Sequence, residues 1–86
     1  MKLFSIHCGY YPNEGIYEAH HNFFIVGVSY CDAQSKIKLN ENFKSSKMHI
    51  DSIQELNIID NHLINLEESE IKDDTGVYRH RELGKN

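Results

Sequence analysis

Residues 2–8, KLFSIHC, place apolar side chains at every second position. Phe4, Ile6 and Cys8 alternate with a set that includes Ser5 and His7. Because successive side chains of a strand point to opposite faces, this pattern predicts a strand with Phe4, Ile6 and Cys8 towards the core. Residues 9–16, GYYPNEGI, follow and contain the only proline of the chain. They predict a loop, in which the two glycines are free to adopt positive φ.

Residues 21–29, HNFFIVGVS, are almost continuously apolar. Such a run predicts a central strand that is covered on both faces. Gly27 interrupts it and indicates a bulge or a close approach of another part of the backbone.

A short amphipathic helix is predicted within residues 29–43. Ser29 and Asp32 have the spacing of a capping box, and an acidic residue suits the N-terminus of a helix. Tyr30, Ala33 and Ile37 lie on one helical face. Residues 43–47, FKSSK, then predict a polar connector.

Two apolar segments, residues 47–60 and 62–66, flank Asp60 and Asn61. Both of these residues tolerate left-handed geometry, which favours a tight hairpin turn. The predicted order is ββαββ. It corresponds to a single α+β domain at residues 1–66, with one short helix packed on one face of a mixed or antiparallel sheet. Residues 67–86 form an acidic, polar extension, in which residues 73–76 either turn a second hairpin or belong to a tail.

Charge is distributed unevenly along the 86 residues. The net charge is −4, and residues 51–86 carry nine acidic and four basic side chains. This balance disfavours nucleic acid as a partner, because nucleic-acid affinity depends on clustered lysine and arginine. The sequence also lacks an apolar membrane span or signal-peptide pattern, and Cys8 and Cys31 do not form a disulfide framework. We therefore expect a cytoplasmic protein with reduced thiols and no membrane partner.

Two pairs of polar residues have the spacing of same-face neighbours on a strand. Glu18 precedes His20 by two positions, and His49 precedes Asp51 by two. If the two strand ends are adjacent, the four side chains form a mixed nitrogen and oxygen set that suits Zn²⁺, Mn²⁺ or Fe²⁺. The same residues also suit an acid–base relay. A third interpretation, which the sequence favours because such clusters are often structural ion networks, is a hydrogen-bonded polar edge in which Asp51 caps a turn and His49 is partly buried.

The remaining candidates for chemistry are weaker. The sequence predicts His7 at an edge or facing solvent, and His21 on the face opposite His20. Cys8 and Cys31 are expected to be structural, because neither has an evident activating partner. Three tyrosines either line a ligand cleft or cover one end of the core: Tyr10, Tyr11 and Tyr17. Neither a phosphate-binding glycine loop nor a G-x-S-x-G motif is present.

The chain resembles the bacterial domain of unknown function 1543 family over roughly residues 1–66. The resemblance rests on Glu18-x-His20, followed by Phe24 and Gly27, and on HIDS at residues 49–52. It departs where the family usually has an aspartate in place of His21. The family has no assigned activity, so the resemblance implies an architecture and a short list of residues. Some members carry two copies of the domain.

These observations predict a small module that binds a small-molecule or protein ligand. The alternative is a metal-dependent or acid–base enzyme that uses Glu18, His20, His49 and Asp51, with a divalent metal as its possible cofactor. A homodimer is expected, because a ββαββ unit with a single helix leaves an edge strand and part of its sheet uncovered.

Overall fold

The strand formed by the alternating residues at the N-terminus is the centre of the fold. The computed structural model describes residues 1–70. Residues 71–86 lie outside the described part; they make up most of the predicted acidic extension and include residues 73–76, where a second hairpin turn was one of two predictions. The elements in chain order are β1 (Lys2–Tyr10), a 3-10 helix (Pro12–Glu14), β2 (Ala19–Gly27), α1 (Tyr30–Ile37), α2 (Glu41–Ser45), β3 (His49–Glu55), β4 (Ile58–Ile59) and β5 (His62–Leu63).

β1 lies in the middle of a three-stranded antiparallel sheet with the order β2-β1-β3. The prediction that residues 21–29 form a central, fully covered strand is therefore wrong. β2 is an edge strand, with Phe23 and Ile25 packed against the core and Phe24 and Val26 exposed. The apolar run arises because both faces of this edge strand carry apolar side chains, although only the face towards the core is covered.

The core lies between one face of the sheet and α1. Its fully buried residues are Phe4, Ile6, Cys8, Ala33 and Ile37. The core-facing set predicted on β1 is thus confirmed, as are two of the three residues of the helical stripe. The third, Tyr30, is 63% exposed, so its place in the predicted stripe is wrong. The packing of α1 on one face of an antiparallel sheet confirms the α+β class.

α1 begins with the predicted cap. The Ser29 hydroxyl accepts a hydrogen bond from the Asp32 backbone N–H at 3.2 Å, and the Asp32 carboxylate accepts one from the Val28 N–H at 2.9 Å. A Cβ on Gly27 would lie 2.8 Å from the Asp32 carboxylate. Gly27 therefore marks a close approach, as predicted, because a side chain there would displace the cap.

A second helix replaces much of the predicted polar connector at residues 43–47. The Asn40 side chain caps α2 by accepting hydrogen bonds from the N–H groups of Asn42 and Phe43. Phe43 packs against the core and anchors this short helix. Because polar residues flank Phe43 in the sequence, its pattern did not predict this contact. Neither α1 nor α2 is long and apolar enough to span a membrane, and no other helix within residues 1–70 is.

The predicted turn at Asp60 and Asn61 is confirmed. Their φ angles of 50° and 63° are left-handed, as a two-residue hairpin turn of type I′ requires. The first arm of the hairpin is shorter than predicted, because β3 ends at Glu55 and pairs with β1 instead. β4 and β5 form a separate two-stranded sheet of two residues each.

Candidate functional site

The sheet carries a polar cluster on the face opposite α1, which we call the open face. In the register of the sheet, Gly9 of β1 pairs with His20 of β2 on one side and with His49 of β3 on the other. The two histidines therefore flank the same glycine. Glu18 lies just before β2, and Asp51 lies two residues after His49. All four residues of the two predicted pairs meet at this point.

β3 contains a β-bulge beside the cluster. Cys8 pairs with Ile50, whereas the preceding His7 pairs with Ser52, so Asp51 is the extra residue. His49 and Asp51 share the open face because they are two residues apart, and the bulge shifts the register by one residue so that Ile50 and Ile53 both pack against the core. The spacing of three between these isoleucines, where a regular strand needs an even number, was the sequence signal for the bulge.

Each histidine of the cluster lies between the same two carboxylates. His49 Nε2 is 3.0 Å from Glu18 Oε2 and 3.1 Å from Asp51 Oδ1. His20 Nε2 is 2.7 Å from Glu18 Oε1 and 3.6 Å from Asp51 Oδ2. An imidazole nitrogen carries at most one proton, which cannot point at two carboxylates at once. The cluster therefore offers more lone pairs than its own N–H groups can satisfy.

Gly9 provides the space for this cluster. A Cβ at Gly9 would lie 2.7 Å from His49 Nε2 and 2.9 Å from Glu18 Cδ. Neither Gly9 nor Gly15 uses the freedom of a glycine to adopt positive φ, and no other glycine within residues 1–70 does. Gly9 lies in an extended strand, and its lack of a side chain allows the charged groups to converge above the backbone.

His7 is a cluster neighbour that sequence reasoning missed. Its ring stacks on that of His20, with centroids 4.8 Å apart and an angle of 12° between the planes. It precedes Gly9 by two positions on β1, so it shares the open face. The alternation of residues 2–8 placed it on this face, but the sequence did not show that β2 brings His20 against it.

The other candidates lie away from the open-face cluster. His21 pairs with the core residue Cys8 in the sheet register, and its ring contacts Phe23 edge-on at 4.5 Å. It therefore points to the opposite face, as predicted. Burial raises the pKa of the Cys8 thiol above its ordinary value, and the nearby Asp51 carboxylate raises it further. A raised pKa disfavours the thiolate, which supports a structural role for Cys8.

The predicted tyrosine cleft is only partly assembled. Tyr10 and Tyr11 line a shallow depression of about 390 Å³ together with residues of the α2–β3 connection, including Ser46 and Lys47. Tyr17 does not line it and is 72% exposed. This depression contains none of the four residues of the two predicted pairs.

No known protein family, curated protein or solved structure matches the chain. The resemblance to the domain of unknown function 1543 family stays a prediction, and the case for function rests on the geometry of the site.

Proposed function

We propose that this domain is a small binding module whose ligand is a divalent transition-metal ion, held on the open face by Glu18, His20, His49 and Asp51. The observation that carries the proposal is the position of both imidazole nitrogens between the same two carboxylates. Such a mixed set of nitrogen and oxygen ligands suits Zn²⁺ and Mn²⁺. A cation would use the lone pairs that the cluster's own protons leave unsatisfied.

The size of the cluster supports this assignment. Its four N···O distances run from 2.7 to 3.6 Å. Ligand atoms about 2.0–2.1 Å from a tetrahedral ion are separated from one another by roughly 3.3 Å. Glu18, His49 and Asp51 also offer three ligand atoms that lie within 4.8 Å of one another. Small shifts of side-chain ends would therefore complete the coordination.

A polar strand edge, the interpretation favoured from the sequence, accounts for less of the geometry. It needs neither two carboxylates beside each imidazole nor a glycine beneath the cluster. An acid–base relay pairs one carboxylate with one histidine, whereas here each carboxylate approaches both. We therefore favour metal binding over both alternatives.

Metal binding will be visible as stabilisation of the folded state. Protein purified without a histidine tag and stripped with a chelator should melt at a higher temperature when Zn²⁺ or Mn²⁺ is added. A ligand at a hundredfold excess over its dissociation constant contributes about 2.7 kcal/mol, which for a domain of this size raises the melting temperature by roughly 10–20 °C. The stabilisation should weaken in acid, because protons compete with metal for imidazole.

A matched pair of histidine variants makes this test specific. His49→Ala should lose the metal-dependent shift, whereas His21→Ala, on the opposite face, should keep it. If neither Zn²⁺ nor Mn²⁺ moves the melting temperature of the unmodified chain, or if His49→Ala responds as strongly as that chain, the domain does not bind metal at this site.

We also propose that two chains associate through the β4–β5 hairpin. Ile58, Ile59 and Leu63 are 61%, 48% and 72% exposed. A hairpin of this length is not stable in water by itself, so a second copy that covers these side chains would stabilise it.

Light scattering after size exclusion should give twice the single-chain mass. Leu63→Lys should give the single-chain mass, and Leu39→Lys, at a position 73% exposed outside the hairpin, should leave the dimer unchanged. An unmodified chain that stays monomeric at high micromolar concentration would rule out the dimer.

We also propose that the protein is located in a reducing compartment, the cytoplasm. It is supported by the two free cysteines, of which Cys8 is buried and Cys31 is exposed. An exposed unpaired thiol is compatible with a compartment that keeps thiols reduced.

A further inference from the structure

The open face carries a second group of metal ligands beside the first. His7, His20 and Asp51 each offer one ligand atom, and these atoms lie within 4.8 Å of one another. Asp51 belongs to this group and also to the group formed with Glu18 and His49. The two groups are therefore adjacent and share a carboxylate.

Both carboxylates are placed to bridge two ions. Glu18 directs Oε1 to His20 and Oε2 to His49, at 2.7 and 3.0 Å. Asp51 directs Oδ2 to His20 and Oδ1 to His49, at 3.6 and 3.1 Å. A single ion would need one oxygen from each carboxylate. Here the two oxygens of each carboxylate lie next to different histidines. This arrangement is that of two-metal sites, whose ions lie about 3.5–4 Å apart.

His7 is oriented as a ligand by a neighbour on β2. Its Nδ1 lies 2.6 Å from Asn22 Oδ1, the residue with which it pairs in the sheet. Because the amide oxygen accepts a hydrogen bond, Nδ1 of the neutral ring carries the proton and Nε2 keeps its lone pair. Metal-binding histidines are commonly held by such a hydrogen bond from the other ring nitrogen.

We propose that the open face binds two divalent transition-metal ions, the second held by His7, His20 and Asp51, with Glu18 and Asp51 bridging the pair. This inference rests on the proposed metal-binding function and extends it from one ion to two, with His49 as the histidine ligand of the first ion and His20 assigned to the second. Three histidines and two carboxylates give each ion at least one nitrogen ligand and a share of both bridging groups. Positions left open on each ion would be available to water or to an oxygen-rich ligand.

Counting the ions tests the inference. The metal-free chain is dialysed to equilibrium against Zn²⁺, and the bound metal is measured per chain by elemental analysis. We expect two ions for the unmodified chain and one for His7→Phe, which keeps a ring to stack on His20 but has no ligand atom. His7→Gln, with a polar side chain that is a poor ligand for Zn²⁺, is a second variant and should also bind one. His21→Phe is the control and should bind two, and circular dichroism confirms that each variant is folded.

The possible results separate this inference from the one on which it rests. One ion per unmodified chain, lost in His49→Ala, would overturn the second site and leave the proposed function intact. Two ions in both the unmodified chain and His7→Phe would overturn the assignment of His7. No bound ion in the unmodified chain would overturn both proposals.

Discussion

Replacing Gly9 by alanine will weaken metal binding about 100-fold and leave the fold intact. The added methyl group would lie 2.7 Å from His49 Nε2, 2.9 Å from Glu18 Cδ and 3.0 Å from Glu18 Oε2. These atoms belong to the ends of side chains, so they can move aside without displacing the backbone. The movement separates two of the groups that converge above Gly9, and we expect Zn²⁺ affinity to fall by about 100-fold, the upper end of the effect of removing a supporting contact at a metal site.

The measurement compares Gly9→Ala with Ser5→Ala by Zn²⁺ titration. Ser5 lies on the same strand and the same face as Gly9, but at a distance of four residues, so its substitution should leave the affinity unchanged. Circular dichroism spectra of both variants should match that of the unmodified chain. A folded Gly9→Ala protein with unchanged Zn²⁺ affinity would show that the metal does not bind above this glycine.

Replacing Phe4 by alanine will lower the free energy of unfolding of the domain by about 3–5 kcal/mol. Phe4 is 1% exposed and belongs to a core that has only five buried hydrophobic residues within residues 1–70. Truncation of a buried phenylalanine typically costs about 3–5 kcal/mol, against a total stability of about 5–15 kcal/mol for a natural domain. We expect a much lower urea midpoint, or a chain that is largely unfolded at 25 °C.

Phe24 provides the matched control, because it is the same residue type on the neighbouring strand. It is 66% exposed on the open face, so Phe24→Ala should change the free energy of unfolding by no more than about 0.5 kcal/mol. Urea denaturation followed by circular dichroism measures both variants. Equal losses of stability would mean that Phe24 is also packed, as the continuous apolar run of residues 21–29 suggested.

The features that the sequence determined by itself depend on contacts between near neighbours in the chain. Alternation along residues 2–8 identified Phe4, Ile6 and Cys8 as core residues, because side chains of a strand point in turn to its two faces. The cap at Ser29 and the left-handed turn at Asp60 and Asn61 depend on backbone preferences within a few residues. The α+β class followed from these local elements. The spacing of Glu18 with His20 and of His49 with Asp51 was also visible.

The tertiary structure alone decided which strands pair and what they bring together. The sequence does not specify that β1 pairs on one side with β2 and on the other with β3. That pairing made β2 an edge strand despite its apolar run, and it placed His7 against His20. The need for a glycine at position 9 has the same origin, because it depends on the register of β1 with the two strands that flank it. Side-chain patterns report the two faces of a strand, whereas register is set by contacts across the sheet, and the candidate metal site exists only where three strands meet.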